Sequence, residues 1–239
     1  MFSAIRSVIT YLTVALYVLL AGPPFLLIAL LFNQKGLLYR VGHLGVRIGL
    51  FLSGIKVDLA GVEHIQRARA AVYAVNHTSN VEPPIIFDTL HQLFPRLRIL
   101  YKAELRKLPV LVRAFDLAGF IPLERANPEQ SLPAIDRAAD ALRQGNSFLI
   151  FPEGTRSRTG ELLPFKKGGF IMAIKAQAPV VPIGISGARN ALRKGSLIIY
   201  PVTVRVRIGE PVETAGMTLD DRDTLVGMVR NRVATLLGG

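Results

Sequence analysis

The spacing of apolar positions changes character twice along this chain. Ser7 to Gln34 carries no charge, and Gly22-Pro23-Pro24 interrupts it. As a helix, Val8 to Ala21 would be roughly 21 Å long, short of the ~30 Å of bilayer hydrocarbon. The run is long enough only if it continues through a kink to Phe32. Two arrangements stay open: one kinked helix that spans, or two short helices that dip into one leaflet as a hairpin. A cleaved signal peptide fits less well, because apolar residues continue to Phe32 and Leu19-Leu20-Ala21 lacks the small-x-small cleavage pattern. Next, Val41, Leu44, Ile48, Phe51, Leu52 and Ile55 recur at helical spacing beside Arg40 and Arg47. That pattern suits an amphipathic helix on a membrane surface and, equally, a helix packed on a globular domain.

From Ile55 the pattern becomes an alternation of short apolar runs and helical segments. Strands are expected over 55–59, 71–75, 98–101, 120–123, 147–151, 180–185, 197–200 and 202–208. Helices are expected over 84–93, 108–117, 128–143, 167–176 and 218–237, the last opened by a capping box of Thr218 and Asp221. Alternation of this kind predicts an α/β layered domain with a mostly parallel, mixed sheet flanked by helices. In 202–208, Val and Ile alternate with Thr and Arg, so one face of that strand is expected to be solvated or at an edge. The simplest division is an N-terminal membrane-anchoring helical segment over 1–54 and one α/β domain over 55–239.

Charge adds a direction. Lys plus Arg number 29 against 17 for Asp plus Glu, a net +12. Such a surface favours nucleic acid, anionic lipid or an acidic carrier protein. With 8% aromatics and no tryptophan, the basic residues do not interleave with stacking platforms, which argues against nucleic acid. Lys35, Arg40, Arg47 and Lys56 follow the apolar segment and only Arg6 precedes it, a bias that keeps the C-terminal bulk in the cytoplasm. The absence of cysteine excludes disulfides, thiolate catalysis and Cys-ligated zinc. His43, His64, His77 and His91 show no close ligand spacing, so no metal site is expected.

Two strings carry chemistry. In Asn76-His77-Thr78-Ser79-Asn80-Val81-Glu82, His77 and Glu82 are five residues apart, about 140° around a continuous helix. A paired role therefore needs a bend. Pro83 disfavours α geometry at Glu82, and Pro83-Pro84 suits the first turn of a helix. The segment is thus expected to be a strand-to-helix loop able to fold the carboxylate back onto the imidazole, where it would fix the tautomer and support a base for an alcohol. The plain alternatives are a loop histidine with a structural hydrogen bond and a solvated glutamate cap. Ser79 near His77 raises a Ser-His hydrolase, but no G-x-S-x-G elbow is present.

The second string, Phe151-Pro152-Glu153-Gly154-Thr155-Arg156-Ser157, follows an apolar strand. Gly154 lets the backbone turn, Thr155 and Ser157 bring hydroxyls, successive amides can form an anion nest, and Arg156 can grip a phosphate. Glu153 could accept from a substrate hydroxyl or hold Arg156; a simple Glu153–Arg156 surface pair is the bland reading. Arg125 and Lys102 each follow a strand on what should be the same sheet edge, where open α/β sheets bind ligands. Lys166-Lys167 opens a helix against its dipole. Arg189, Arg193 and Lys194 cluster in a loop that could face lipid headgroups or an acidic carrier. Neither a Walker A string nor G-x-G-x-x-G occurs.

The ordered set of blocks resembles the 1-acyl-sn-glycerol-3-phosphate acyltransferase family. Asn76 to Ser79 looks like its His-x4-Asp block, Gly119 to Arg125 its second, Phe151 to Ser157 its third and Val180 to Ile183 its fourth. Lys102 to Pro109, Pro164 to Gly168, Lys194-Gly195-Ser196 and Ile208 to Pro211 also fit, so the resemblance runs from about Val57 to Val212. One departure stands out: Glu82 occupies the place where the family mostly carries Asp. Glutamate there is similar to other branches of the superfamily, including late lipid A acyltransferases, but those lack the full third block.

The resemblance implies a glycerolipid acyltransferase-like fold at a cell inner membrane, with the catalytic domain on the cytoplasmic side. It implies transfer of a fatty acyl group from acyl-CoA or acyl carrier protein to the sn-2 hydroxyl of lysophosphatidic acid, giving phosphatidic acid for phospholipid biosynthesis, with no cofactor. His77 would be the base and Glu82 its orienting partner. Arg125, Arg156 and Gly154 would hold the phosphate, and Glu153 would position the glycerol, with Thr155 and Lys102 nearby. Another lysolipid acceptor, an ornithine lipid, or a non-catalytic lipid-binding protein are the alternatives.

Overall fold

The computed structural model describes residues 2–107, 109–124 and 128–238. Its centre is a seven-stranded sheet with spatial order β1-β7-β6-β2-β5-β3-β4, where β1 is Lys56–Ala60, β2 Val72–Val75, β3 Leu97–Lys102, β4 Ile121–Leu123, β5 Ser147–Ile150, β6 Val180–Ser186 and β7 Thr203–Ile208. The five strands β6, β2, β5, β3 and β4 run parallel; β7 pairs antiparallel with β6, and β1 pairs parallel with β7. The mixed, mostly parallel sheet is therefore as the alternation predicts.

Successive side chains of the central strands enter two separate cores. Tyr73 and Val75 face one with Leu149, Val181, Ile183, Ile85 and Ile86. Val72 and Ala74 face the other with Phe148, Ile150, Ala138, Phe170 and Val229. Burial on both faces explains why these strands read as unbroken apolar runs. On the first face lie α2 (Lys35–Ser53) and α3 (Glu82–Thr89); on the second lie α5 (Pro128–Arg143), α6 (Gly168–Ala176) and α8 (Arg222–Gly238). The one-turn α7 (Ala188–Ala191) follows β6, and α4 (Pro109–Ala118) precedes β4. Thr218 and Asp221 do form a capping box, ahead of α8.

The N-terminal segment is one helix, α1 (Phe2–Leu31), which runs through Pro23 and Pro24. It folds back on α2 as an antiparallel pair: Val14 meets Gly49, Tyr17 meets Gly45, and Arg6 lies by Gly54. A Cβ at Gly45 would sit 2.7 Å from the Tyr17 ring, so glycine is what lets these helices approach. The Tyr17 hydroxyl donates to the Val41 carbonyl at 2.7 Å. α2 in turn packs on α3 and α4, with Tyr39 buried among Phe87, Phe94 and Phe120. α2 thus packs on the domain, as one of its two readings expects, and leaves Leu44 and Phe51 exposed.

Two expectations need correction. Residues 197–200 form no strand. β1 and β6 already occupy both sides of β7, and the segment instead forms an anchored loop with Leu197 outward. The helix expected over 84–93 ends at Thr89 and gives way to a separate 3-10 turn at His91–Leu93. For β7, the solvated face is observed (Thr203 and Arg205 exposed, Val204 and Val206 buried), but the strand is internal and β1 is the edge.

Candidate active site

β2 and β5 are neighbouring parallel strands, so the loops leaving their C-terminal ends emerge side by side. One is the His77 loop and the other begins at Phe151. Each residue of Asn76-His77-Thr78-Ser79 has a distinct task. The Asn76 amide donates to the Ile185 carbonyl at 3.0 Å and accepts from the Ile185 N–H at 2.8 Å, extending the sheet by a side chain. Ser79 is fully buried and donates to the Leu192 carbonyl at 2.7 Å. Between these anchors the chain bends, and α3 opens at Glu82 with prolines in its first turn. Pro83 thus does not keep Glu82 out of the helix; the bend lies upstream, at residues 76–81.

The bend brings Glu82 Oε2 to 2.7 Å from His77 Nδ1. Glu82 is wholly buried, and its oxygens also accept from the Thr78 N–H at 2.8 and 3.0 Å and from Thr78 Oγ1 at 2.5 Å. An ionised carboxylate only accepts, so His77 carries its proton on Nδ1. The Nε2 lone pair then has no partner among the described residues. Phe151 lies against the imidazole, ring centroids 4.4 Å apart. A buried acceptor filled by three donors holds the ring in one orientation, the arrangement a general base requires.

Glu153 does something sequence reasoning missed. Its carboxylate accepts from the His77 N–H at 2.5 Å and from the Leu163 N–H at 3.0 Å. In return the His77 carbonyl accepts from the Ser157 N–H at 2.8 Å. The two loops are therefore stapled through the histidine's own backbone, and neither Glu153 oxygen pairs with Arg156. Burial pushes the Glu153 carboxyl above its ordinary range, partly offset by the amides of His77 and Leu163. No local spacing signals this contact, because its partner lies 76 residues away.

The cations of the second loop are left open. Arg156 is half-buried, and its guanidinium has no partner among the described residues, while its carbonyl accepts from Lys194 Nζ at 2.9 Å. Arg189 likewise fixes the loop by donating to the Arg158 carbonyl at 3.1 Å. Gly154 turns at φ +70°, its N–H donates to the Phe151 carbonyl at 3.0 Å, and the Lys166 stem crosses directly over it. That amide is thus used within the turn. Thr155 is exposed. Lys166 has no acid partner among the described residues, whereas Lys167 pairs with Asp223 at 2.7 Å. A cleft of about 70 Å³ beside the turn is lined by Leu100, Leu123, Ile150 and Phe151, with Lys166 at its rim. Lys102 is exposed and paired with Glu104 at 2.8 Å. Arg125 lies outside the described residues.

Comparisons with known proteins bear on the family and the fold. Residues 56–186 match the family model described as Acyltransferase. The 1-acyl-sn-glycerol-3-phosphate acyltransferase of Limnanthes douglasii is 33% identical over 192 residues, covering 80% of this chain and 66% of the relative. The 1-acyl-sn-glycerol-3-phosphate acyltransferase alpha of Homo sapiens is 32% identical over 187 residues, covering 78% and 65%. The chain thus spans about two thirds of the length of these relatives. The crystal structure of the 1-acyl-sn-glycerophosphate (LPA) acyltransferase PlsC from Thermotoga maritima superposes with a TM-score of 0.80 at 26% identity, covering 98% of this chain and 95% of that one. A match that takes in more than half of the chain, with His77, Glu82 and the whole Phe151–Ser157 string inside it, places this protein in the acyltransferase family.

Proposed function

We propose that the protein transfers a fatty acyl group from a thioester, acyl-CoA or acyl carrier protein, to the sn-2 hydroxyl of lysophosphatidic acid. The observation that carries this reading is the 2.7 Å contact between His77 Nδ1 and a fully buried Glu82, on a loop stapled to that of Arg156, an arginine without a counter-ion among the described residues. His77 Nε2 takes the proton of the acceptor hydroxyl as its oxygen attacks the thioester carbonyl. The new C–O bond forms, the tetrahedral carbon collapses, and the C–S bond breaks. The thiolate leaves with little acid help, since thiol pKa values are low, and then takes the proton back from the imidazolium. Glu82 steadies the charge that His77 carries between these steps. Arg156, with Arg125 and Lys166, holds the phosphate through charge-assisted hydrogen bonds.

Glu153 acts on this reading by locking His77 to the phosphate loop, so its role in positioning the glycerol is indirect. The names of the relatives support phosphorylated glycerolipid as the acceptor. The test is thiol release by purified protein with acyl-CoA or acyl carrier protein and a panel of lysolipids. Release with lysophosphatidic acid is expected to exceed that with any uncharged or zwitterionic lysolipid. Preference for a different acceptor would keep the chemistry and overturn the substrate.

The same reading places the site at a membrane surface. α1 is about 45 Å long, yet it touches the rest of the protein near both ends, through Ser7 at one and through buried Leu26 and Ala29 at the other. A helix held along its length in this way lies on one leaflet instead of crossing. Its other face exposes Leu12, Leu16, Leu19, Leu20, Leu27 and Leu31 to acyl chains. The following Lys35, Arg40 and Arg47 suit the anionic cytoplasmic leaflet of a cell inner membrane.

A further inference from the structure

The loop Arg193–Pro201 presents an unusual surface. Leu197 is 78% exposed, Tyr200 44% and Ile198 37%, whereas Ile199 between them is buried. The loop does not hang freely. The Ile199 N–H donates to Ser7 Oγ on α1 at 2.7 Å, and the Tyr200 N–H donates to the Ala191 carbonyl at 2.8 Å. Pro201 packs beside Gly54, next to Arg6. At this same end of the helical pair, Phe2, Ile5 and Phe51 are exposed. Three large apolar side chains of one loop thus lie beside the N-terminal turns of α1, with Arg6 and Arg193 exposed around them. Isolated exposed leucines are ordinary, but a contiguous apolar patch rimmed by cations marks an interaction surface.

From this juxtaposition we infer that Leu197, Ile198 and Tyr200 form a second membrane-inserting element, a wedge that enters an anionic leaflet beside α1. The inference rests on the membrane-surface reading of α1 given above and extends it. A bilayer is the occupant favoured by continuity with α1 and by the complementarity of Arg6 and Arg193 to anionic headgroups. The wedge is also joined to both halves of the active site. The Leu192 carbonyl accepts from Ser79 at one end of the His77 loop, and Lys194 Nζ donates to the Arg156 carbonyl. Docking of the wedge therefore sets the height of the base and the arginine relative to the headgroup plane.

Because the chain lacks cysteine, single labels can be placed at will. Full-length Leu197→Cys, Leu16→Cys and Leu219→Cys, each carrying an environment-sensitive fluorophore, are added to phosphatidylglycerol/phosphatidylcholine vesicles with brominated acyl chains. The account expects bromine quenching at Leu197→Cys and Leu16→Cys, as for side chains roughly 5–10 Å below the headgroups, and none at Leu219→Cys. Quenching at Leu16→Cys alone overturns the wedge and leaves the membrane reading standing. Quenching at neither position overturns both. A Leu197→Cys probe that ignores vesicles but shifts with acyl carrier protein assigns the surface to a protein partner instead. As a second readout, Leu197→Asp with Tyr200→Asp should raise the apparent KM for acceptor in vesicles about tenfold. Turnover of a short-chain, monomeric acceptor should not change; an equal loss on both acceptors overturns the proposal.

Discussion

The two halves of the active site differ in how completely they are finished. Around His77, every oxygen of Glu82 is filled, the ring is backed by Phe151, and the loop is pinned through Asn76 and Ser79. Four residues past Pro152, Arg156 has no side-chain partner among the described residues, and Lys166 has none either. The base is thus preorganised by the protein alone, while the cationic half is left for a ligand to complete. This asymmetry separates the roles. Orientation of the base must be rigid before substrate arrives, because misalignment costs rate directly. Unpaired cations cost stability through mutual repulsion, and that cost is tolerable only where an anion relieves it.

The comparison yields graded tests. His77→Ala removes the base and should lower kcat by up to about 10⁴-fold with little change in melting temperature, measured by thiol release and calorimetry. Glu82→Gln keeps the size but removes the charge on the closed half. Its kcat should fall about 10²–10³-fold, with the acid limb of the pH–rate profile displaced downwards because the imidazolium loses its counter-ion.

Glu153→Ala cuts the staple between the halves and orphans two backbone N–H groups. It should cost roughly 2–4 kcal/mol in denaturant unfolding and also lower kcat. Glu153→Gln offers a sharper contrast. Because burial raises the carboxyl pKa of Glu153, the folded state favours its protonated form. Wild-type stability relative to Glu153→Gln should therefore rise as pH falls from neutrality through that pKa.

Arg156→Ala, on the open half, should raise KM for the phosphorylated acceptor about 10–100-fold and leave KM for the thioester unchanged. An equal change in both constants would remove its phosphate role. Gly154→Ala should be the mildest, about 1 kcal/mol from the left-handed turn, with the Lys166 stem able to shift.

The closed half was largely legible in the sequence. Apolar runs placed β2 and β5, and Pro83-Pro84 announced that a helix starts a few residues after His77, so the carboxylate was able to fold back onto the ring. The position of the bend was less legible, because Asn76 and Ser79 create it by bonding Ile185 and Leu192, more than 100 residues away. The role of Glu153 was hidden for the same reason. An E-x-x-R spacing invites a local ion pair, yet burial makes two backbone donors the better partners. Periodicity misled at 197–200, where Leu-Ile-Ile reads as a strand although the neighbouring β7 already has β1 and β6 on its two sides. Lys167 illustrates the converse: its cost at a helix start is offset by Asp223 of α8, a tertiary partner that the helix dipole alone does not reveal.

The central claim is that His77 and Glu82 act as one unit. A double-mutant cycle on thiol release, at saturating donor and acceptor, tests it most directly. The account predicts that His77→Ala with Glu82→Gln is no slower than His77→Ala alone, since Glu82 works only through the imidazole. Losses that multiply would show that Glu82 contributes by another route and that the pair is not the catalytic element.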